Sequence, residues 1–283
     1  KELMDDNKKK FVHFKIHTQY SICEGAIKIP DLAKFCKDKK ISAIGLSDSF
    51  NLCGALEFSE EISKVGTQPI LGSQINFKFD ELIGKIPIFA KSEKGFRNLT
   101  KLSSKSFLDV EASQPPHCNL EDLLENCDDL IMTSGGLDSL FFKLIKKNNP
   151  KQLQQFSSEI KSVFGDRFYL EIQRHNDFEE KAIEHNLLEL SKKIKIPLIA
   201  SQEVFYIEQD MFEAHDALLC IGQKTYINEE KRKKYSDQHY IKSTDEIKQI
   251  YHFLTFRLLN LKQLLYPRFL SLTKHNKFYF FQV

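Results

Sequence analysis

His13, Lys15 and His17 alternate along one short stretch, and Glu24 follows them. Asp48 stands between Ser47 and Ser49, Gln74 ends a Gly-Ser-Gln step, Lys85 opens an apolar run, and Glu203-Val204-Phe205 follows another. Residues two apart share a face of a strand, so such steps can aim several groups at one point. Imidazole and carboxylate at that point would be donors for divalent ions. Those ions lower the pKa of water and neutralise phosphate oxygens, whereas an ammonium is no ligand. SGGLDS (134–139) follows an apolar run and opens a helical one, as does the loop whose amides cradle pyrophosphate in ATP pyrophosphatases. Its plainer use is a tight turn that needs glycine, with Asp138 or Ser139 near the first helical turn. Glu171 and His175 flank FYLEIQRH and could trade protons, though structural hydrogen bonds are the simpler role.

The elements that would position these groups alternate between the two periodicities. FVHFKI (11–16), AIGLSD (43–48), PILGSQINFKF (69–79), KIPIFAKS (85–92), DLIMTS (129–134), FYLEIQR (168–174) and PLIASQEVFYI (197–207) read as strands. Helical stretches lie between them, among them 29–40, 55–66, 93–108, 150–165 and 213–222. His215 and Asp216 fall in the last of these, and Arg97 and Asn98 in the third, where packing or capping is the expected use. Such alternation implies βαβ units and a parallel sheet, and the number of units suggests a closed or nearly closed barrel. Barrels carry function at the C-terminal ends of their strands. That rule selects Lys15, His17, Asp48, Ser49, Gln74, Gly135, Gly136, Glu171, His175, Glu203 and Phe205.

Composition is that of a globular chain, with 41% hydrophobic and 28% charged residues and no apolar run of membrane-spanning length. Six cysteines, none in CxxC spacing, argue for reduced thiols and a cytoplasmic location. Residues 247–283 hold six Lys/Arg and no acid, which leaves 35 basic and 39 acidic residues elsewhere. The body is therefore not a basic surface by composition, and DNA affinity would need a local patch. Lys8–Lys10 and KRKK (231–234) are expected to be solvated surface. Residues 1–9 are expected to be disordered, 10–250 to form the barrel, and 251–283 to be an atypical aromatic tail. Its nine aromatics suit AT-rich DNA read out of frame.

Seven collinear segments carry a family likeness: FVHFKIHTQYSICEGA (11–26), AIGLSDSFNLCGALEF (43–58), QPILGSQINF (68–77), IFAKSEKGFRNLTKLSS (88–104), FGDRFYLEIQRH (164–175), IPLIASQEVFYI (196–207) and EAHDALLCIGQKT (213–225). Together they resemble the polymerase and histidinol phosphatase (PHP) domain that opens the alpha subunit of bacterial DNA polymerase III. The resemblance implies an α/β fold, a distorted (β/α)7 TIM-like barrel, and a cluster of metals in members with an intact site. Carried over residue by residue, the nine ligand positions are Lys15, His17, Glu24, Ser49, Gln74, Lys85, Gly136, Glu203 and Phe205. Only His17, Glu24 and Glu203 retain a donor, so no metal is expected, or one weakly bound divalent ion at most. Lys15 and Lys85 are expected to fill the space the metals left and to pair with Glu24 and Glu203.

The resemblance further implies the N-terminal part of a replicative polymerase, a nucleotidyltransferase whose palm lies outside this chain. It would act as a structural and docking module. Its partners would be the proofreading exonuclease subunit and other holoenzyme subunits, with DNA reached only through the rest of the polymerase and no membrane. Two other readings stand beside it: an active metal-dependent phosphoesterase or 3′–5′ exonuclease, and an ATP pyrophosphatase using residues 134–139.

Overall fold

The computed structural model describes residues 10–251 and the backbone of Leu270–Ser271 and Tyr279–Phe280. The expectations for residues 1–9 and for nearly all of 251–283 lie outside the described residues. In chain order the elements are β1 (Lys15–Ile16), α1 (Ile29–Asp38), β2 (Ala43–Ser49), α2 (Ala55–Lys64), β3 (Gln68–Phe79), β4 (Leu82–Ala90), α3 (Glu93–Leu108), β5 (Cys118–Asn119), α4 (Leu120–Glu125) and β6 (Leu130–Thr133). There follow α5 (Leu140–Lys146), α6 (Pro150–Phe164), β7 (Phe168–Gln173), α7 (Phe178–Ile194), β8 (Leu198–Ser201), β9 (Glu203–Val204), α8 (Phe212–Gln223), α9 (Thr244–Ile250), and the antiparallel pair β10 (Leu270–Ser271) and β11 (Tyr279–Phe280).

One sheet holds the strands in the order β8-β7-β6-β4-β3-β2-β1-β9, with β5 paired beside β3. Its two ends are joined by a single residue, Gln202, between β8 and β9. The stretch 197–207, expected as one strand, is thus broken: β8 pairs with β7 on one side and β9 with β1 on the other. Taking β8 and β9 as one broken strand gives seven staves around a nearly closed α/β barrel. The sheet is not wholly parallel, as the alternation suggested. β4 runs antiparallel to both β3 and β6. Only Asp80 and Glu81 join β3 to β4, too few for the crossover that a parallel pair requires.

The expected first strand, 11–16, shrinks to the two residues of β1. Here the β2 backbone presses close: a Cβ on Gly45 would lie 2.5 Å from Phe14 Cα, while Gly45 N donates to His13 O at 2.7 Å. Val12, Phe14, Ala43, Ile70, Phe89, Ile131, Tyr169 and Ile199 form one buried cluster, with residues from or beside β1, β2, β3, β4, β6, β7 and β8. That set is the apolar fill of the barrel. The outward faces of the strands pack under the helices in two further clusters, one around Phe141, Phe156 and Phe168 and one around Leu32, Phe58 and Ile62.

Helix ends obey local rules. Ser92, Ser139, Asn149 and Asp177 accept backbone N–H groups at the starts of α3, α5, α6 and α7. Ser243 and Glu246 form a reciprocal capping box on α9, a helix the apolar pattern does not announce.

Candidate functional site

At the C-terminal ends of the strands the barrel fill turns polar. Lys15 on β1 is fully buried. Its Nζ lies 3.2 Å from Glu171 Oε2 on β7 and 3.4 Å from Glu203 Oε2 on β9. Glu203 also receives Gln74 Nε2 at 2.7 Å and lies 2.9 Å from His17 Nε2. The other ring nitrogen of His17 is 3.1 Å from Ser21 Oγ. A second ammonium, Lys85 on β4, sits 2.8 Å from Glu24 Oε1 and donates to Ser49 Oγ at 3.0 Å. Ser49 Oγ in turn bonds Glu24 Oε2.

Burial acts against every charge here, and neighbouring charges decide the outcome. Desolvation opposes the Lys15 ammonium, but Glu171 and Glu203 outweigh it and raise its pKa above the usual lysine value. Lys85 is likewise held charged against burial by Glu24 and Asp138. Burial alone would raise Glu24; Lys85, His17 and Lys233 instead pull it down to about 2. Burial opposes Glu203 too, and Lys15 and His17 hold it well below the carboxylate range. Asp48 goes the other way. Burial raises it, although Ser21 Oγ donates to it at 2.7 Å and Thr18 N and Oγ1 at 2.6 and 2.7 Å. Its carboxylate is consumed in holding the β1–α1 loop.

Lys15 and Lys85 were expected to pair with Glu24 and Glu203. Lys15 reaches Glu203 and Glu171, while Lys85 takes Glu24. Structural hydrogen bonds were the simpler role expected of Glu171 and His175. Glu171 faces Lys15 and accepts from Gln173 Nε2 at 2.8 Å. His175 bonds Glu180, with its Nδ1 2.5 Å from Oε1, and its Nε2 accepts from Glu203 N at 3.1 Å. Phe205 stacks on His17 at 4.5 Å between ring centres. Gly136 packs so closely on Gln173 that a Cβ would lie 2.2 Å from Oε1. His215 donates to Glu24 O at 2.8 Å across its Nε2.

The SGGLDS segment forms the β6–α5 turn. Gly135 adopts φ +78°, Ser139 caps α5, and Glu171 N donates to Ser134 Oγ at 2.9 Å. Asp138 is bound by Lys233 Nζ at 2.6 Å.

One residue of KRKK (231–234) departs from the reading as solvated surface, and Lys233 stays exposed even with this contact. Lys231 and Lys234 are exposed. Arg232 is not: its side chain is 1% accessible and grips Asp216 through two bonds of 2.6 and 2.5 Å. Lys233 reaches Asp138 and lies 3.9 Å from Glu24. Tyr235 then stacks over Phe205 at 4.4 Å, Ser236 Oγ donates to His175 O at 2.5 Å, and Gln202 Nε2 donates to Gln238 O at 2.7 Å. Residues 232–239 thus form a strap across the barrel mouth. A charge run surrounded by polar residues carries no periodic signal for this.

Comparison with known proteins gives the family. The PHP domain model matches residues 13–175. The chain belongs to the PHP domain family. The DNA polymerase III subunit alpha of Rickettsia conorii is 35% identical to this PHP domain over 255 residues, which is 89% of this chain and 21% of that protein. That of Caulobacter vibrioides is 32% identical over 249 residues, 85% of this chain and 22% of its own length. The chain spans about a fifth of the length of these curated relatives. Among solved structures, a candidate metal-dependent phosphoesterase from Bifidobacterium adolescentis aligns over 89% of this chain and 98% of its own, at 12% identity and a TM-score of 0.46. Among the described residues of this PHP domain, no group of three or more His, Cys, Asp or Glu side chains is arranged to hold a metal ion. No helix among them is long and apolar enough to cross a membrane.

Proposed function

We propose that this PHP domain is a non-catalytic structural and docking module of a replicative DNA polymerase III alpha subunit. In it, lysine ammonium groups stand where related domains hold divalent ions. One observation carries the reading: two buried ammonium groups, Lys15 and Lys85, are each ion-paired to carboxylates at the mouth. The donor set does not fit a metal cluster. His17, Glu24 and Glu203 could ligate, but all three already lie within 4 Å of a cationic or polar partner. A divalent ion added there would face two fixed positive charges at close range in a low-dielectric site. The paired lysines neutralise the carboxylates without offering a Lewis acid or an activated water, so no hydrolytic step follows from these side chains. The strap through Lys233 and Tyr235 adds a further cation and a ring over the same space.

The polymerase assignment is supported by relatives that align along nearly the whole of this chain. On that reading the partners are the other subunits of the holoenzyme, the proofreading exonuclease first among them. The test has two arms. Chain dialysed against Mn²⁺, Zn²⁺ and Mg²⁺ is assayed for bound metal and for release of a 3′ label from single-stranded DNA. Less than about one tightly held ion per chain and no metal-dependent cleavage are expected. Two or more ions, with cleavage abolished by Glu203→Gln, would overturn the reading in favour of a working phosphoesterase. A pull-down with the exonuclease subunit from the same source tests docking.

A further inference from the structure

Away from the mouth, a cleft of about 440 Å³ opens where Phe11 and His13 precede β1 and Ile41 and Ser42 precede β2. It therefore lies at the N-terminal ends of these strands, the end opposite the lysine–carboxylate cluster. Its rim is basic. Lys10 and Lys39 line it and are exposed, and Lys40 next to Lys39 is exposed as well. The Lys10 ammonium donates to Lys40 O at 3.1 Å, which brings a cation from a distant part of the sequence onto the same rim. A helix C-terminus attracts a cation or two in its last turn. It does not account for Lys10. Against these three stands Glu208 on the far wall. Glu246 on that wall is already engaged by Ser243 and Tyr240. The contrast with the rest of the body, where acids outnumber bases, makes this a local patch and not a general tint.

The walls supply ring faces. Phe11, Phe35 and Tyr240 line the cleft, each half-buried, with the Lys242 ammonium 4.1 Å from the centre of the Tyr240 ring and that of Lys39 5.9 Å from the centre of the Phe35 ring. Cations at a rim with aromatic rings behind it are the arrangement that holds a single nucleic-acid strand: ammonium groups track phosphates and rings accept unstacked bases. A duplex presents no free base faces, and a lipid headgroup has no use for the rings. We propose that this cleft binds single-stranded nucleic acid, with Lys10, Lys39 and Lys40 on the phosphates and Phe35 and Tyr240 beside the bases. The choice of nucleic acid rests on the polymerase reading. Metal content and hydrolysis at the mouth do not depend on these lysines, so the two ideas fail separately.

The experiment is fluorescence anisotropy of the full chain with a labelled oligo-dT of roughly a dozen nucleotides, repeated across a salt series. Lys10→Glu/Lys39→Glu/Lys40→Glu should weaken binding at least about tenfold and flatten the log Kd against log salt slope by about 2, as expected for three lost phosphate contacts. Lys181→Glu/Lys192→Glu/Lys193→Glu, the same charge change on exposed positions of α7, should leave affinity within about twofold. A Lys10→Gln/Lys39→Gln/Lys40→Gln variant keeps the comparison if charge reversal frays the end of α1. Equal losses in the two Glu triples overturn the proposal. So does capture of the chain by phosphatidylserine–phosphatidylcholine vesicles through the same lysines without binding of the oligonucleotide.

Discussion

Lys85 Nζ lies 2.8 Å from Glu24 Oε1, and Ser49 Oγ bonds to both. The pair crosses from β4 to the loop after β1 with both side chains nearly buried, so neither charge has water as an alternative partner. Lys85→Met should therefore destabilise by about 3 kcal/mol, because it strands a buried carboxylate. Lys85→Met/Glu24→Gln should recover much of that loss, with a coupling on the order of 2 kcal/mol. Urea unfolding of the wild type, both single variants and the double variant closes the cycle. A coupling near zero would show that the two charges do not stabilise one another.

Lys15 is more deeply placed and holds two carboxylates, Glu171 and Glu203, at 3.2 and 3.4 Å. Lys15→Met should cost roughly 3–5 kcal/mol, more than Lys85→Met, since it leaves two anions facing each other. Adding Glu171→Gln should relieve a large part of that cost. Adding Glu24→Gln should not, because Glu24 belongs to Lys85; this second pair should be additive to within about 0.5 kcal/mol. The same urea series distinguishes the two outcomes.

The positions of the ligand swap could be read from spacing, because a strand places every second side chain on one face. Lys15 and His17, or Gln74 after Gly72, are legible as a set aimed at one point. Partner choice was not. Which carboxylate meets Lys15 depends on β9 pairing with β1, and that in turn depends on the break at Gln202. The polar step Ser201-Gln202-Glu203 interrupts the apolar run of PLIASQEVFYI at the break, but it does not say which strands the two halves pair with. The antiparallel β4 was hidden for a related reason: periodicity reports which face a residue takes but not the direction of the strand. The strap escaped altogether, for its residues are polar and its order comes from contacts made far along the chain.

Stability should fall on the acid side in two stages. His13 and His175 are buried and neutral, lowered by desolvation to about 4 and about 3. A group depressed in the fold stabilises fully above its unfolded pKa, here roughly 6.5, and that stability is lost as pH falls toward the folded value. Glu24, lowered to about 2, adds a second loss that begins only near pH 4.5. The lysines Lys15 and Lys85 are raised, so their contribution persists below about pH 10.5 and fades only above it. The urea midpoint should thus decline below about pH 6.5 and steepen below about pH 4.5. Lys85→Met/Glu24→Gln should keep the first decline and soften the second. A wild-type midpoint unchanged between pH 7 and 4 would contradict the histidine assignment.

The strap is anchored at one point by Arg232 on Asp216. Arg232→Met should loosen residues 232–239 without unfolding the barrel, whose strands are held by the sheet itself. Hydrogen exchange of those amides should speed up by at least about tenfold, while β7 and β8 keep their protection. If exchange rises equally in the strands, Arg232 supports the whole fold and the strap has no independent hold.

If lysines stand in for metals, returning the donors should return the ions. The variant Lys15→His/Ser49→His/Gln74→Glu/Lys85→His removes both ammonium groups and adds four ligands around His17, Glu24 and Glu203. Without metal it should be markedly less stable than the wild type, because Glu24, Glu171 and Glu203 lose their cations. With Zn²⁺ or Mn²⁺ it should regain stability as ligand linkage requires, by about 2.7 kcal/mol when free metal is a hundredfold above Kd. Wild-type chain should show no such response, since its carboxylates are already paired. Thermal unfolding with and without EDTA, beside direct metal analysis, reads both effects. A variant that neither binds an ion nor gains stability from one would mean that the two lysines do not occupy the former metal space.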